Sequence, residues 1–214
     1  MNRICFFVLC LIGAAASLHA QLAFRNTVST GEISVNDTAY SAHFIFENTG
    51  DTPVVIEDIK SSCGCTTATR SKKTYRPGEQ GSIDAVFEFG HRKGEQHKEI
   101  TVVTDQGIYG LSIEVDIPEK FTVSKRSHSW ELDSDLDPWT FEIHLNPDWK
   151  AKFQEITSKK DLYSLTVTQF PEESLIRVMV TPKDTSVEAR DIINVFLATE
   201  QGDRKNISIF LSVR

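Results

Sequence analysis

The sequence has no excess of basic residues: 23 Lys and Arg stand against 30 Asp and Glu, which gives a formal net charge of −7. A mildly acidic surface favours solubility and disfavours phosphate-rich ligands, so we expect neither nucleic acid nor anionic lipid as a partner. After residue 20, no apolar run reaches the ~20 residues that a membrane-spanning helix needs. We therefore also expect no membrane span.

Recognisable catalytic motifs are also missing. No Gly-x-Ser-x-Gly sequence or comparable nucleophile context occurs in the chain. The acidic segment Glu131–Pro138 lacks the central glycine and the terminal glutamate of an EF-hand calcium loop, so a solvated turn is the simpler interpretation. We therefore predict that the chain is not an enzyme and needs no cofactor.

Cysteine is scarce, and two of the four cysteines lie in the first 20 residues. That segment has the parts of a secretory signal: Arg3, then an apolar run, then small residues between Ala16 and Ala20 where cleavage is expected. We predict a signal peptide over residues 1–20 and a periplasmic or secreted protein. Its two remaining cysteines are then Cys63 and Cys65.

Apolar and polar residues alternate with a period of two through most of the chain, and helical periodicity is scarce. The runs at residues 42–46 and 139–145 are clear examples, and turn residues separate such runs. Two blocks of about 100 residues are typical of immunoglobulin-like sandwiches. We predict an all-β fold of two tandem antiparallel β-sandwiches, with a single larger sandwich as the alternative. The predicted bounds are residues 21–118, a polar linker at 119–126, and residues 127–214.

Residues 148–158 depart from the alternation and are predicted as a short helix. His43 and His144 fall on the polar faces of predicted strands, so we expect both side chains to be exposed. His91 and His97 flank a charged hairpin tip. Because no histidine pair has ligand spacing near the cysteines, the histidines do not predict a metal site.

The strand parity changes shortly before the cysteine pair. Cys63 and Cys65 have the parity of Ile59, whereas Ile56 has the opposite parity. A strand that keeps its apolar face inward on both sides of such a change must contain a bulge or bend, here near residues 57–58. The cysteines then lie on the core side, or where a strand enters a loop.

Gly64 separates the two cysteines and permits a sharp bend that another residue would resist. A disulfide needs Cα atoms about 4.4–6.8 Å apart, so the backbone would have to contract at this glycine. The loop closed would be tiny, and the bridge would stabilise little and be easy to reduce. Four interpretations stay open for Cys63 and Cys65: core packing, a local disulfide, a redox pair and a copper(I) ligand pair.

Four motifs of the first half occur in a fixed order: Phe44–Ile56, Ser62–Thr66, Tyr75–Gly81 and Lys98–Val102. Together they resemble the bacterial domain of unknown function 1573 family over about residues 22–118. The resemblance implies an exported immunoglobulin-like sandwich related to abnormal-spindle/hydin domains. It implies no reaction, because the family has no agreed activity.

Turn chemistry suggests structural roles within these motifs. Asn48 opens a tight turn in which Gly50 is available for a positive φ, and Pro77 with Gly78 suits the centre of a type II turn. Together with Gly64, these residues are expected to shape the fold rather than to react.

The sequence thus predicts an exported, non-enzymatic protein-binding or assembly module of the bacterial cell envelope. Its expected partners are other envelope or secreted proteins. One alternative is a thiol–disulfide redox or copper(I)-binding protein that uses Cys63 and Cys65. A second is a carbohydrate-binding module with an exposed tryptophan, Trp130 or Trp149, because Trp139 fits the core alternation.

Overall fold

The structure is a computed structural model that describes residues 21–214. Seventeen β-strands and two 3-10 helices of three residues make up the regular structure of this part of the chain, so the all-β prediction is confirmed. The predicted signal peptide, residues 1–20, lies outside the described residues. No helix between residues 21 and 214 is long and apolar enough to cross a membrane.

The first nine strands form two sheets. They are β1 (Leu22–Phe24), β2 (Val28–Thr30), β3 (Ala39–Asn48), β4 (Val54–Ser61), β5 (Thr66–Arg70), β6 (Thr74–Tyr75), β7 (Gln80–Glu88), β8 (Gly94–Thr104) and β9 (Gly107–Ile117). One sheet has four strands in the order β1-β3-β7-β5, and the other has five in the order β2-β9-β8-β4-β6.

The remaining eight strands form two further sheets. They are β10 (Phe121–Val123), β11 (Ser127–Trp130), β12 (Trp139–Leu145), β13 (Lys152–Ser158), β14 (Tyr163–Phe170), β15 (Leu175–Pro182), β16 (Ala189–Ala198) and β17 (Arg204–Val213). The sheet orders are β10-β12-β15-β14 and β11-β17-β16-β13. The β11–β17 pair is parallel, whereas the other pairs of these two sheets are antiparallel.

The contacts divide the chain into two compact units. The first unit contains the described residues up to Ser29 together with Ser41–Phe87 and Lys98–Ile113. The second unit contains Thr30–Tyr40, Glu88–His97 and Glu114–Arg214.

The alternation in the sequence accounts for the core of the first unit. Phe44 and Phe46 of β3, and Ile83 and Phe87 of β7, are completely buried, while the residues of opposite parity between them are more exposed. Burial of each such side chain stabilises the fold by about 1.5–3 kcal/mol. The pairing of β4 with β8 shifts register between Ile56 and Asp58, which confirms the bulge predicted from the change of parity.

The segment predicted as a linker, residues 119–126, contains a strand of the second unit. Phe121–Val123 pairs with the end of β12, and Phe121 and Val123 pack against the core of this unit. The two apolar residues are two positions apart, and this spacing places both on the same face of a strand.

The helix predicted at residues 148–158 is wrong. Pro147–Trp149 forms one turn of 3-10 helix, and Lys152–Ser158 is strand β13, which pairs with β16. A register shift between Phe153 and Glu155 lets Phe153 and Ile156 both pack against the core. Residues three positions apart also share a face of a helix. Here the β-bulge brings both side chains to the same face of the strand.

Candidate functional site

Cys63 and Cys65 form a disulfide in the short loop between β4 and β5. Because β4 belongs to the five-stranded sheet and β5 to the four-stranded one, the loop carries the chain from one sheet to the other. Their Cα atoms are 5.2 Å apart, which lies within the range that a disulfide tolerates. Both cysteines are half-buried.

Hydrogen bonds hold this loop independently of the disulfide. Ser62 donates its N–H to the Glu99 carbonyl at 2.9 Å, and Glu99 donates its N–H to Ser62 Oγ at 3.1 Å. Ser61 Oγ donates to the Cys63 carbonyl at 2.9 Å, and the Thr66 N–H donates to the same carbonyl at 3.3 Å. Because a metal ligand must be a thiolate, the bridged pair could hold copper(I) only after reduction.

Gly64 is not required for the bend, contrary to the prediction. A Cβ placed on it would meet no atom within 4 Å, and its φ does not lie in the positive region. The contraction between the cysteines is therefore accessible to an ordinary residue.

The strands on both sides of the disulfide loop have open edges. β5 is an edge strand of its sheet. β6 pairs with Val54 and Val55 of β4, and the Ile56 N–H donates to the Lys73 carbonyl, so the edge of β4 is open only after Ile56. The Ser71 N–H donates to the Ser82 carbonyl, so the residues of opposite parity, Ala68 and Arg70, direct their backbone groups away from β7.

A cleft of about 450 Å³ lies between these two open edges. We call it the edge cleft, and it is lined by Asp58, Ile59, Ala68, Thr69, Arg70, Lys72 and Lys73. Sequence reasoning did not single out these residues. The signal that could have found them is the short apolar-poor strand Thr66–Arg70 followed by two lysines.

The edge cleft has a positive charge that its own acidic neighbours do not cancel. Lys72 forms an ion pair with Glu79, and its hydrogen bond lowers the pKa of that carboxyl. Across the described residues, neither Arg70 nor Lys73 forms a salt bridge. Two cationic side chains are thus available to a ligand in the cleft.

Asn48 links several turns of the first unit, and we call this group of hydrogen bonds the asparagine corner. Its side chain is completely buried, and Nδ2 donates to the carbonyls of Thr52 at 2.8 Å and Tyr75 at 2.9 Å. Its Oδ1 accepts from the Gly50 N–H at 3.0 Å, and its carbonyl accepts from the Gly78 N–H at 2.7 Å. The sequence predicted a turn at Asn48, but it did not predict this role in holding three segments together.

The two turn glycines have different roles. Gly78 has φ +77°, which agrees with the type II turn predicted at Pro77 and Gly78. Gly50 does not have a positive φ, so that prediction is wrong. A Cβ on Gly50 would lie 2.8 Å from Cδ of Gln21, but this atom is near the end of a flexible side chain that can move away.

The histidines and tryptophans take the places that follow from strand parity. His43 and His144 are exposed, as expected. Trp139 is buried, and Trp130 and Trp149 are buried as well, which removes the exposed tryptophan that a carbohydrate-binding module would require. No group of three or more His, Cys, Asp or Glu suited to a metal ion occurs within residues 21–214.

These features define an all-β sandwich module with a buried asparagine corner and a short disulfide beside two open strand edges. Residues 22–117 match the model of a family described as protein of unknown function (DUF1573). The match is confined to residues 22–117, and it confirms the resemblance predicted from the four motifs. The search among curated proteins found no match.

Three similar solved structures have low sequence identity to this chain. The VesB protease of Vibrio cholerae has 17% identity and a TM-score of 0.36 over 45% of this chain, and the chain spans 32% of that protein. A protein of unknown function from Porphyromonas gingivalis W83 has 9% identity and a TM-score of 0.32, over 89% of this chain and 99% of that one. Domains 4–9 of the surface layer protein SbsC have 8% identity and a TM-score of 0.32, over 89% and 30%. Similarities at this level carry no inference about activity.

Proposed function

We propose that this chain is a non-enzymatic protein-binding module of the bacterial cell envelope, exported to the periplasm or secreted. In this proposal the edge cleft captures an extended, acidic segment of another envelope or secreted protein. The observation that carries it is the pair of open strand edges, β4 and β5, which face each other across the cleft. An open edge pairs with a strand of a second chain by main-chain hydrogen bonds.

The backbone of β5 supports strand addition. Ala68 and Arg70 direct N–H and C=O groups outward, and an added strand would lie about 4.8 Å away. The small side chain of Ala68 leaves room for that approach, and the neighbouring Thr67 and Thr69 are exposed. The disulfide loop fixes one end of β5, so little of its conformational freedom would be lost on binding.

The charge of the cleft defines the ligand. Arg70 and Lys73 have no acidic partner among the described residues, and the guanidinium group in particular binds carboxylates with two parallel hydrogen bonds. A segment with glutamate or aspartate on one face and small apolar residues on the other fits both the charge and the strand parity.

A peptide-binding measurement tests the proposal. The probe is a fluorescent decapeptide of alternating Val and Glu, compared with the same peptide N-methylated along one edge. We expect anisotropy to report binding in the micromolar to millimolar range for the first peptide and none for the second, since N-methylation removes the donors that strand addition needs. Equal binding of both peptides would contradict strand addition.

Two variants locate the binding. Ala68→Pro removes an outward N–H and keeps the pairing with β7, and we expect it to abolish binding. The double variant Arg70→Glu with Lys73→Glu leaves the backbone intact and should weaken binding about tenfold or more. The matched control is Gln169→Pro on the edge strand β14, which should bind as the unchanged protein does. Binding that survives both cleft variants would overturn the assignment.

Export is tested by the intact mass of the protein recovered from its bacterial host. We expect a mass that lacks the first 16–20 residues and is lower than that of the reduced chain by two hydrogen atoms, because of the Cys63–Cys65 bridge. A mass that retains Arg3 would contradict cleavage.

A further inference from the structure

The outer face of the β11-β17-β16-β13 sheet carries a groove of about 1020 Å³. Four cationic side chains line it, and two large apolar side chains are exposed in it, Ile192 at 40% and Phe210 at 52%. We call it the basic groove; its cations are Lys159, Lys160, Arg190 and Arg214.

The positive charge of the basic groove is not neutralised within the second unit. None of its four cations forms a salt bridge in the described part of the chain. The one carboxylate in the lining, Asp191, is 8% exposed and accepts hydrogen bonds from Ser158 Oγ at 2.5 Å and the Ile192 N–H at 2.8 Å. A basic surface of this size contrasts with the net charge of −7 for the whole chain.

The same unit carries a segment of the opposite character. The acidic loop, Glu131–Pro138, follows β11 and has four exposed carboxylates without an ion pair among the described residues: Glu131, Asp133, Asp135 and Asp137. Two leucines of the loop are also exposed, Leu132 at 43% and Leu136 at 49%.

Backbone hydrogen bonds hold the acidic loop in a defined conformation. The Leu132 N–H donates to the Arg214 carbonyl at 3.2 Å, and the Asp133 N–H donates to the Thr185 carbonyl at 2.9 Å. Thr185 Oγ1 donates to the Ser134 carbonyl at 2.5 Å. A loop ordered in advance loses little conformational entropy when it docks.

We propose that a second copy of this chain is the occupant of the basic groove, and that its acidic loop binds there. Carboxylates of the loop meet the four cations, and Leu132 and Leu136 pack against Ile192 and Phe210. The two surfaces lie at the same end of the unit, since Arg214 contributes to the groove and bonds to the loop. A two-fold arrangement therefore forms both loop–groove contacts at once.

This inference does not depend on the proposed function. Strand addition uses β4 and β5 of the first unit, whereas self-association uses the loop and one sheet of the second unit. A chain that associates but binds no peptide, or the reverse, would separate the two proposals.

Sedimentation velocity at several protein concentrations measures the association. In 0.01 M salt we expect the weight-average mass to double as concentration rises. In 1 M salt we expect association at least about tenfold weaker, because the Debye length falls from about 30 Å to about 3 Å. A mass that stays monomeric at every concentration and salt level would overturn the proposal.

Charge exchange identifies the two surfaces. The groove variant Lys159→Glu with Lys160→Glu and the loop variant Asp135→Lys with Asp137→Lys should each be monomeric alone. An equimolar mixture should recover the dimer, because one contact between unlike variants keeps all four cations against all four carboxylates, and the other pairs the introduced glutamates with the introduced lysines. A mixture that fails to associate, or single variants that still dimerise, would contradict the assignment.

Two further measurements complete the test. The control variant, Arg70→Glu with Lys73→Glu, makes the same change of charge in the first unit and should leave the association unchanged. A chain that stays monomeric but binds the free peptide of residues 131–138 in the groove would show that an acidic segment of another protein is the occupant, and would overturn self-association.

Discussion

In each unit one polar side chain, which we call the polar centre, links loops and turns by hydrogen bonds. The polar centres of the two units differ in charge and burial. In the first unit the centre is Asn48, a neutral side chain that is completely buried and bonds to backbone groups. In the second unit the centre is Asp203, whose side chain is 34% exposed. It accepts hydrogen bonds from Lys120 Nζ at 2.5 Å and from Trp149 Nε1 at 2.9 Å.

This difference separates two ways of stabilising a β-sandwich. A buried neutral centre cannot be replaced by water, so its loss leaves unsatisfied carbonyls in the core. A half-exposed ionic centre tolerates truncation better, because water reaches the groups that are left, but it responds to pH. The first unit should therefore be sensitive to substitution, and the second to acid.

The largest effect is expected from Asn48→Ala. This substitution leaves the carbonyls of Thr52 and Tyr75 without their donors, and we expect the free energy of unfolding in urea to fall by about 2–4 kcal/mol. The matched control is Asn146→Ala in the second unit, where a half-buried Asn146 caps a turn by accepting from the Asp148 N–H. Its loss should stay below about 1 kcal/mol. Equal losses at the two positions would refute the contrast between the units.

The next effect concerns backbone packing in the first unit. A Cβ on Gly81 would lie 2.2 Å from Cε1 of Tyr75 and 2.7 Å from Cζ of Phe46, and both rings are completely buried. We expect Gly81→Ala to lower the free energy of unfolding by about 1–3 kcal/mol. Gly64→Ala is the control and should change it by no more than about 0.5 kcal/mol. Destabilisation by Gly64→Ala would instead show that a glycine is required between the cysteines.

The disulfide is expected to contribute less than the asparagine corner. Replacing Cys63 and Cys65 by serine together removes a bridge that closes a very short loop, and we expect the free energy of unfolding to fall by about 1.5 kcal/mol or less. The hydrogen bonds of Ser62 to Glu99 should keep the loop in place. A free-thiol assay should detect two thiols only after reductant is added, and copper(I) should bind only then. Thiols that react without reductant would favour the redox or copper alternative.

The smallest effect is a pH dependence in the second unit. Burial on its own raises the pKa of Asp203, but the hydrogen bonds from Lys120 and Trp149 and the nearby charges of Lys120 and Lys205 outweigh it, and the pKa lies below its usual value. A carboxyl with a lowered pKa in the folded state stabilises the fold fully above its unfolded pKa of about 3.9, and this contribution is lost as the pH falls through the folded value.

Thermal unfolding below about pH 4 tests this point. Asp203→Asn should flatten the acid side of the stability profile relative to the unchanged protein, by a modest amount because solvent screens the ion pair. The control Asp161→Asn, at a carboxylate that is 89% exposed, should leave the profile as it was. Identical profiles for all three proteins would show that the Asp203 carboxylate does not stabilise the second unit.

Local pattern was sufficient to predict the fold class and one irregularity within it. The alternation of Phe44 and Phe46 predicts their burial, and the change of parity after Ile56 predicts a bulge, because both depend only on neighbouring residues. The spacing of Phe153 and Ile156 was misleading, since a bulge and a helix both bring residues three apart to one face. Bulges are set by pairing with another strand, and a single sequence does not show that pairing.

The roles that the sequence did not reveal depend on contacts between distant residues. Asn48 bonds to Tyr75, and Gly81 lies against the rings of Tyr75 and Phe46. A turn motif indicates neither contact. The basic groove combines Lys159 and Lys160 with residues that follow at least 30 positions later along the chain. Only the pairing of strands brings these residues to one face.

The position of β17 has a consequence for the order in which the protein can fold. This strand pairs with both β11 and β16, yet it is the last of the seventeen strands to leave the ribosome. All nine strands of the first two sheets have emerged before β10 is made. Until Arg204–Val213 appears, β11 has no partner and β16 lacks one of its two neighbours, so the nascent chain carries unpaired edges. The interval before that strand emerges is when a chaperone would be needed most.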